Sequence, residues 1–155
     1  LTVDRELDAD GATYRPPDIS LLGEEHVRRY RETDGDVGYI WNGVPTLLLT
    51  TTGRRSGTPR TTPLIYARDG DDYLVVASMG GAPQHPNWYR NLQADSSARI
   101  QVLADHLDVT GRTAGEDEKP RLWKVMTDLW PNYDVYQSRT DRVIPLVVLT
   151  PSSRP

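Results

Sequence analysis

Between Val44 and Ser78 the sequence alternates three strand-like segments with two turns, and this constrains the fold more than any other feature. Val44 to Thr50 reads as a buried strand, Thr61 to Ala67 as a second and Tyr73 to Ser78 as a third. Strands joined by tight turns run antiparallel, because a parallel pair needs a long crossover. Arg68-Asp69-Gly70-Asp71 is a hairpin signal, since Asp-Gly favours tight turns. The earlier link carries Gly53, Gly57 and Pro59, so it is a turn and not a helix. Ala98 to Leu103 and Leu107 to Thr113 alternate apolar and polar residues across a short turn, with Ile100 and Val102 meeting Leu107 and Val109. Val143 to Leu149 reads as a last strand, and Pro145 within it implies an edge or a bulge. The expectation is a mainly β chain with inserted helices: about six antiparallel strands closed into a small barrel, which removes most exposed edges. No strand-helix alternation supports a crossover fold, so Gly80-Gly81 is not a dinucleotide fingerprint.

A short helix is expected over Leu21 to Thr33, with Leu22, Val27 and Tyr30 as its apolar positions and Gly35 beyond its end. A second starts near His85, with Pro86 in its first turn; His85 reads as its cap, and Trp88, Asn91 and Leu92 share a face. Glu116 to Trp130 is the clearest helix, with Leu122, Val125, Met126, Leu129 and Trp130 at helical spacing and Pro131 ending it. Tyr133 to Arg142 reads as a polar, aromatic bend. Leu1 to Ile19 has four aspartates and the Pro16-Pro17 pair, and reads as a loosely held arm. Residues 1–20 are therefore taken as an arm and 21–155 as one domain.

Composition narrows the chemistry. The 155-residue chain is 37% hydrophobic and 26% charged, an ordinary globular balance. No apolar stretch approaches the roughly 20 residues of a membrane span, and no signal peptide is visible. Cysteine is absent, which excludes disulfides, thiol nucleophiles and thiolate metal sites and suits the cytoplasm. A net charge of −4 argues against a nucleic-acid binder. The acidic arm argues against docking on an anionic leaflet; peripheral membrane contact and a homodimer otherwise stay open. No G-x-S-x-G elbow, H-E-x-x-H pair or Walker lysine is present, so neither a nucleophilic triad, a metal site nor ATP hydrolysis is supported.

The stretch Thr50 to Arg60 inverts the local charge. It holds Arg54, Arg55 and Arg60, and no acidic residue occurs between Asp36 and Asp69. Arginine offers planar donor forks for phosphate and carboxylate, and Gly53 and Gly57 permit close approach of a ligand. The loop reads either as an anion site or as a solvated basic turn. With the Gly80-Gly81 turn, the Trp88/Asn91 face and the pair Tyr133 and Tyr136, it describes a site for a large planar ligand with an anionic tail. Trp88 could equally be a core aromatic, and the tyrosines a packing pair.

These pieces occur in a particular order: Thr51-Thr52-Gly53-Arg54-Arg55-Ser56-Gly57-x-Pro59-Arg60, Pro63-Leu64, Asp69-Gly70, Ser78-x-Gly80-Gly81, Pro86-Asn87-Trp88-Tyr89-x-Asn91-Leu92, Tyr133-x-x-Tyr136-Gln137 and Thr140-Asp141-Arg142. The ordered set, from Gly38 to Pro151, resembles the deazaflavin-dependent nitroreductase family. The resemblance implies a split β-barrel of the FMN-binding split-barrel type and the cofactor coenzyme F-420, an 8-hydroxy-5-deazaflavin with a phosphate and a polyglutamate tail. It implies that Arg54, Arg55, Ser56, Gly57 and Arg60 hold the phosphate and tail. Pro63 and the neighbourhood of Leu64 to Tyr66 would border the ring, and Ala77, Ser78, Met79, Gly80 and Gly81 would offer backbone donors along its edge. Trp88 and Asn91 would complete the wall, while Ser78, Tyr133 and Tyr136 face the acceptor. Two departures stand out. Met79 occupies a place where members often carry a base, and Tyr66 stands one place later than the aromatic of some relatives. The implied reaction is hydride transfer from the reduced deazaflavin to a quinone, enone or nitroaromatic, without a metal. The alternatives are a deazaflavin-binding or storage module and an FMN-dependent oxidoreductase on a related barrel.

Overall fold

Leu146-Val147-Val148-Leu149 is apolar at every position because both faces of its strand are covered. Val147 and Leu149 face one buried cluster with Leu47, Leu49, Val75, Ile100 and Val109. Leu146 and Val148 face a second with Leu74, Val76, Leu122 and Met126. The first fills the interior of a curled sheet; the second lies between that sheet and the helices outside it.

The structure, a computed structural model, describes Glu6–Leu7 and residues 13–152. A two-stranded ribbon pairs β1 (Glu6–Leu7) with β2 (Thr13–Tyr14). Eight further strands make one sheet: β3 (Ile40–Trp41), β4 (Val44–Thr52), β5 (Pro59–Ile65), β6 (Ala67–Asp69), β7 (Asp72–Val76), β8 (Ser97–Val102), β9 (Asp105–Thr113) and β10 (Leu146–Pro151). Every pairing is antiparallel. From β4 the order runs through β8, β9, β10 and β7 to β6, and β5 lies on the other edge of β4. Only Tyr66 separates β5 from β6, so the chain itself joins the two ends of the sheet and closes the barrel.

The count exceeds the expected six for two local reasons. The segment expected as one strand over Thr61 to Ala67 breaks at Tyr66, where the chain leaves β4 for β7. The two-residue β3, with Asn42 at φ 51 and Gly43 at φ 80 in its turn, is too short to show a period. Pro145 marks neither an edge nor a bulge. β10 is central, between β9 and β7, and begins one residue after the proline, so the missing N–H costs no ladder bond. The Pro145 carbonyl instead accepts the Ala77 N–H at 2.9 Å.

Among the described residues four α-helices pack on the barrel: α1 (Gly23–Glu32), α2 (Asn87–Ala94), α3 (Lys119–Leu129) and α4 (Asn132–Ser138). The clear helix expected from Glu116 begins three residues later. The segment from Tyr133, expected to be a bend, forms α4. It is short, and burial of Tyr133 and Val135 stabilises it more than helix propensity does. α1 buries His26 and Tyr30, four apart, while Leu22 stays exposed.

The chain before α1 is held more firmly than a loose arm over its described residues. The Arg15 N–H donates to Asn132 Oδ1 at 2.9 Å, and Asn132 Nδ2 returns a bond to the Arg15 carbonyl at 2.7 Å. Asn42 binds the backbone of Asp18 in the same two-way manner. Asp4, Asp8 and Asp10 lie outside the described residues.

Candidate functional site

The loop between β4 and β5 is closed by its own backbone. The Gly53 N–H donates to the Thr58 carbonyl and the Gly57 N–H to the Gly53 carbonyl, both at 2.8 Å. The two glycines serve different needs. Gly57 sits at φ 72, and a Cβ on Gly53 would lie 2.6 Å from Ser56 Oγ. Ser56 Oγ and Thr58 Oγ1 share a hydrogen bond at 2.7 Å.

The three arginines of this loop then divide. Arg54 is committed to α2: its Nη1 donates to Asn91 Oδ1 at 2.9 Å and its Nη2 to Asn87 Oδ1 at 3.4 Å. Asn91, itself buried, donates from Nδ2 to Thr51 Oγ1 at 3.2 Å. It latches loop to barrel at the edge of the cavity it helps to line. Arg55 and Arg60 are exposed and have no side-chain partner among the described residues. They border a polar cavity of 570 Å³, whose far wall includes Glu24 of α1.

A second cavity, of 440 Å³, opens beside it. Pro63, Leu64 and Ile65 form one side, Ser78, Met79 and Gly80 another, and Trp130, Tyr133 and Tyr136 a third. Thr62, Asn87 and Trp88 line both cavities, so one groove runs from an aromatic end to an arginine end. Met79, where members often carry a basic residue, lines the aromatic end and not the arginine end. Tyr66 is not in the groove at all. Its hydroxyl shares a 2.9 Å bond with that of Tyr39 inside the barrel, and burial, then Tyr39, pushes its pKa up.

The backbone beside the aromatic end has an unusual conformation. Ser78 is right-handed, at φ −83 and ψ −41, and Met79 is left-handed at φ 46, followed by Gly80 at φ 64. A right-then-left pair of residues turns successive N–H groups toward one concavity, which favours an electron-rich ligand atom. The N–H groups of Ser78, Met79 and Gly80 meet no backbone acceptor among the described residues. Those of Ala77 and Gly81 are committed to the Pro145 and Ser78 carbonyls. The expected row of donors over 77–81 is therefore three residues long. Gly81 instead permits close packing, since a Cβ there would lie 2.6 Å from the Tyr136 carbonyl oxygen.

Arg142 holds this turn from behind. Its Nε donates to the Ala82 carbonyl at 2.8 Å, Nη1 to Ala77 at 3.1 Å and Nη2 to Ser78 at 2.6 Å. Nη1 also lies 3.0 Å from His85 Nδ1, which must accept because a guanidinium only donates. His85 is thus no helix cap. Burial, then the charges of Arg142 and Arg90, hold its pKa below the ordinary 6.5. The unfolded chain takes up this proton at higher pH than the folded one, so the contribution is present above pH 6.5 and is lost as pH falls below it. Urea-unfolding stability is expected to decline between about pH 7 and about pH 5, and less steeply in His85→Gln, a window above most carboxylate titrations. Parallel slopes in the two proteins would remove His85 as the cause.

Three hydroxyls face the aromatic end. Tyr133 is buried, which pushes its pKa up, and its Oη has no hydrogen-bond partner among the described residues. Among the described residues no fully buried side-chain oxygen or nitrogen lacks a partner, so this hydroxyl is reached from the cavity that Tyr133 lines. Ser78 Oγ and Tyr136 Oη likewise have no protein partner there. His26, absent from the sequence reading of the site, also lines this end. Its Nε2 lies 2.8 Å from the Gly38 carbonyl oxygen and must donate to it, which fixes the tautomer. Its spacing of four from Tyr30 was the available signal. Among the described residues no cluster of metal-ligating side chains occurs.

A profile of the family described as F420H(2)-dependent quinone reductase matches residues 22–151. The F420H(2)-dependent quinone reductase Rv1261c of Mycobacterium tuberculosis (strain ATCC 25618 / H37Rv) is 46% identical over 146 residues, covering 86% of this chain and 98% of that protein. The solved structure of the F420-H2 dependent reductase FDR-A is similar at a TM-score of 0.63 and 39% identity, over 68% of this chain and 93% of its own. A structure described as a domain-swapped dimer gives a TM-score of 0.66 and 36% identity, over 79% and 96%.

Proposed function

Because the chain belongs to the F420H(2)-dependent quinone reductase family, we propose that it is an oxidoreductase that reduces quinones with reduced coenzyme F-420. Its fold is a split β-barrel. The observation that carries the reading is the continuity of the two cavities through Thr62, Asn87 and Trp88. An apolar slot that runs into a basic one suits a planar ring with an anionic tail, and the donor chemistry fits that molecule at both ends.

Arg55 and Arg60, with Ser56 and Gly57, would hold the phosphate and carboxylates. Arg54 shapes the loop through Asn91. Pro63 and Trp88 would flank the ring, and the N–H groups of Ser78, Met79 and Gly80 would meet its polar edge. Ala77 and Gly81 support that turn from beneath. When bound, the cofactor supplies a hydride from its reduced central ring. The aromatic wall keeps water from the acceptor, and the hydroxyls of Ser78, Tyr133 and Tyr136 can donate a hydrogen bond to a quinone oxygen as negative charge develops there. A cytoplasmic setting and a homodimer belong to the same proposal. The chain's lack of cysteine suits a reducing compartment, and the swapped dimer is a property of the relative.

The test is single-turnover oxidation of bound reduced cofactor by a panel of quinones, enones and nitroaromatics. Quinones are expected to oxidise it, and NADPH is expected not to replace it. Tyr133→Phe should slow the step by roughly tenfold, the scale of one lost hydrogen bond, with cofactor affinity unchanged. A silent Tyr133→Phe would mean that the ring only packs. Tight cofactor binding with no quinone-dependent oxidation would favour a storage role and defeat the enzyme reading.

A further inference from the structure

We propose that Arg142 is a positioning residue for the cofactor ring, acting by holding the N–H groups of Ser78, Met79 and Gly80 toward the aromatic end of the groove; this rests on the cofactor reading above.

A peptide cannot turn its N–H toward a ligand unless its carbonyls go elsewhere. Here the Ala77 and Ser78 carbonyls, which share peptides with the Ser78 and Met79 N–H groups, converge with the Ala82 carbonyl on one guanidinium, and the Met79 carbonyl, in the peptide that carries the Gly80 N–H, accepts the N–H of the same Ala82 at 3.1 Å. Arginine suits this because its donors leave a rigid plane in fixed directions, whereas lysine offers one flexible point charge. The conformation being held has a cost. Met79, which has a Cβ, sits at φ 46, where an L side chain crowds the following carbonyl. Such a residue persists where its surroundings over-determine it. Four contacts from Arg142 do so, counting the one with His85.

The backbone that carries the guanidinium is itself held in place. Gln137 of α4 donates from Nε2 to the Arg142 carbonyl at 2.8 Å and accepts the Ile144 N–H at 2.9 Å. Among the described residues no carboxylate pairs with Arg142. Its charge, half-buried and met only by neutral acceptors, therefore adds to the positive potential of the three N–H groups in front of it. An electron-rich ring edge, of carbonyl oxygens or an ionised hydroxyl, is the ligand feature this arrangement suits. The anionic tail is served separately by Arg55 and Arg60 at the other end.

The experiment uses the full chain with Arg142→Met, Arg142→Lys and Arg55→Ala. Two ligands are titrated by fluorescence: coenzyme F-420, and its deazaflavin core lacking phosphate and glutamates. Melting temperature is measured alongside, as is hydrogen exchange at the amides of residues 78–80 with and without ligand. Both Arg142 variants are expected to bind both ligands on the order of tenfold more weakly, and to lose ligand-induced protection at residues 78–80. Arg55→Ala should weaken only the full cofactor. Should Arg142→Met fail to fold, Arg142→Lys, which keeps the charge and loses the fork, decides the matter. A lower melting temperature with both dissociation constants unchanged would overturn the proposal, leaving Arg142 as packing alone. Loss confined to the full cofactor would overturn it in favour of a tail contact. Wild-type protein that binds neither ligand would instead overturn the cofactor reading, and the positioning role with it.

Discussion

Replacing Arg55 and Arg60 together with alanine is expected to weaken binding of coenzyme F-420 by about 2–5 kcal/mol, from two charge-assisted contacts of roughly 1–3 kcal/mol each that need not add fully. The effect should be confined to binding. Both side chains are exposed, and neither has a protein partner among the described residues, so their removal breaks no contact that holds the fold, and the melting temperature should barely move. The loss should shrink at high ionic strength, where exposed charges are screened. It should also vanish for the deazaflavin core without phosphate and tail. Fluorescence titration with both ligands at two salt concentrations measures this directly. An equal loss for core and full cofactor would show that the arginines act on the ring or on the fold. Arg54→Ala should differ in kind. It strips Asn91 and Asn87 of a donor, so it should loosen the loop from α2 and lower stability as well as affinity.

Gly81→Ala is expected to be the most damaging small substitution in the site, destabilising the protein by about 3 kcal/mol or more. Two penalties combine. A left-handed L residue costs roughly 1–2 kcal/mol, and Gly81 sits at φ 85. The new methyl would also lie 2.6 Å from the Tyr136 carbonyl oxygen and 3.0 Å from Arg139 Cβ. Both belong to the α4 region, so relief requires α4 to move away from the turn. Gly80→Ala separates the two penalties. Its φ is 64 and nothing lies within 4 Å of its added Cβ, so it should show the conformational cost alone, on the order of 1 kcal/mol. Urea unfolding of both variants gives the comparison, and equal losses would mean that α4 yields without cost. If α4 does move, Tyr133 moves with it, and Gly81→Ala should lose quinone-dependent turnover beyond its loss of folded protein.

Features that depend only on neighbours along the chain are legible without the fold. Asp69-Gly70 specifies a turn, and the next strand pairs back across it. The spacing of Leu122, Met126 and Trp130 specifies one helix face, and those residues are buried. Arg54, Arg55 and Arg60 concentrate positive charge on a glycine-punctuated loop, a pattern that suits an anion site or a solvated basic turn, and the ordered motifs identify the family. Tertiary structure decided which member of each set does what. Arg54 and Arg55 are adjacent and chemically identical, yet Arg54 is taken by Asn91, 37 residues away, while Arg55 is exposed and has no side-chain partner among the described residues. The carbonyls on either side of the left-handed Met79 turn meet a guanidinium from Arg142, 64 residues beyond Ser78, and no local pattern at either place announces the other. The segment from Tyr133 is helical because Tyr133 and Val135 find a core to enter, and Pro145 is harmless in a central position because pairing starts at the next residue. Propensity and turn chemistry act over a few residues. The polarity of this groove is set by hydrogen bonds between segments that only the closed barrel brings together.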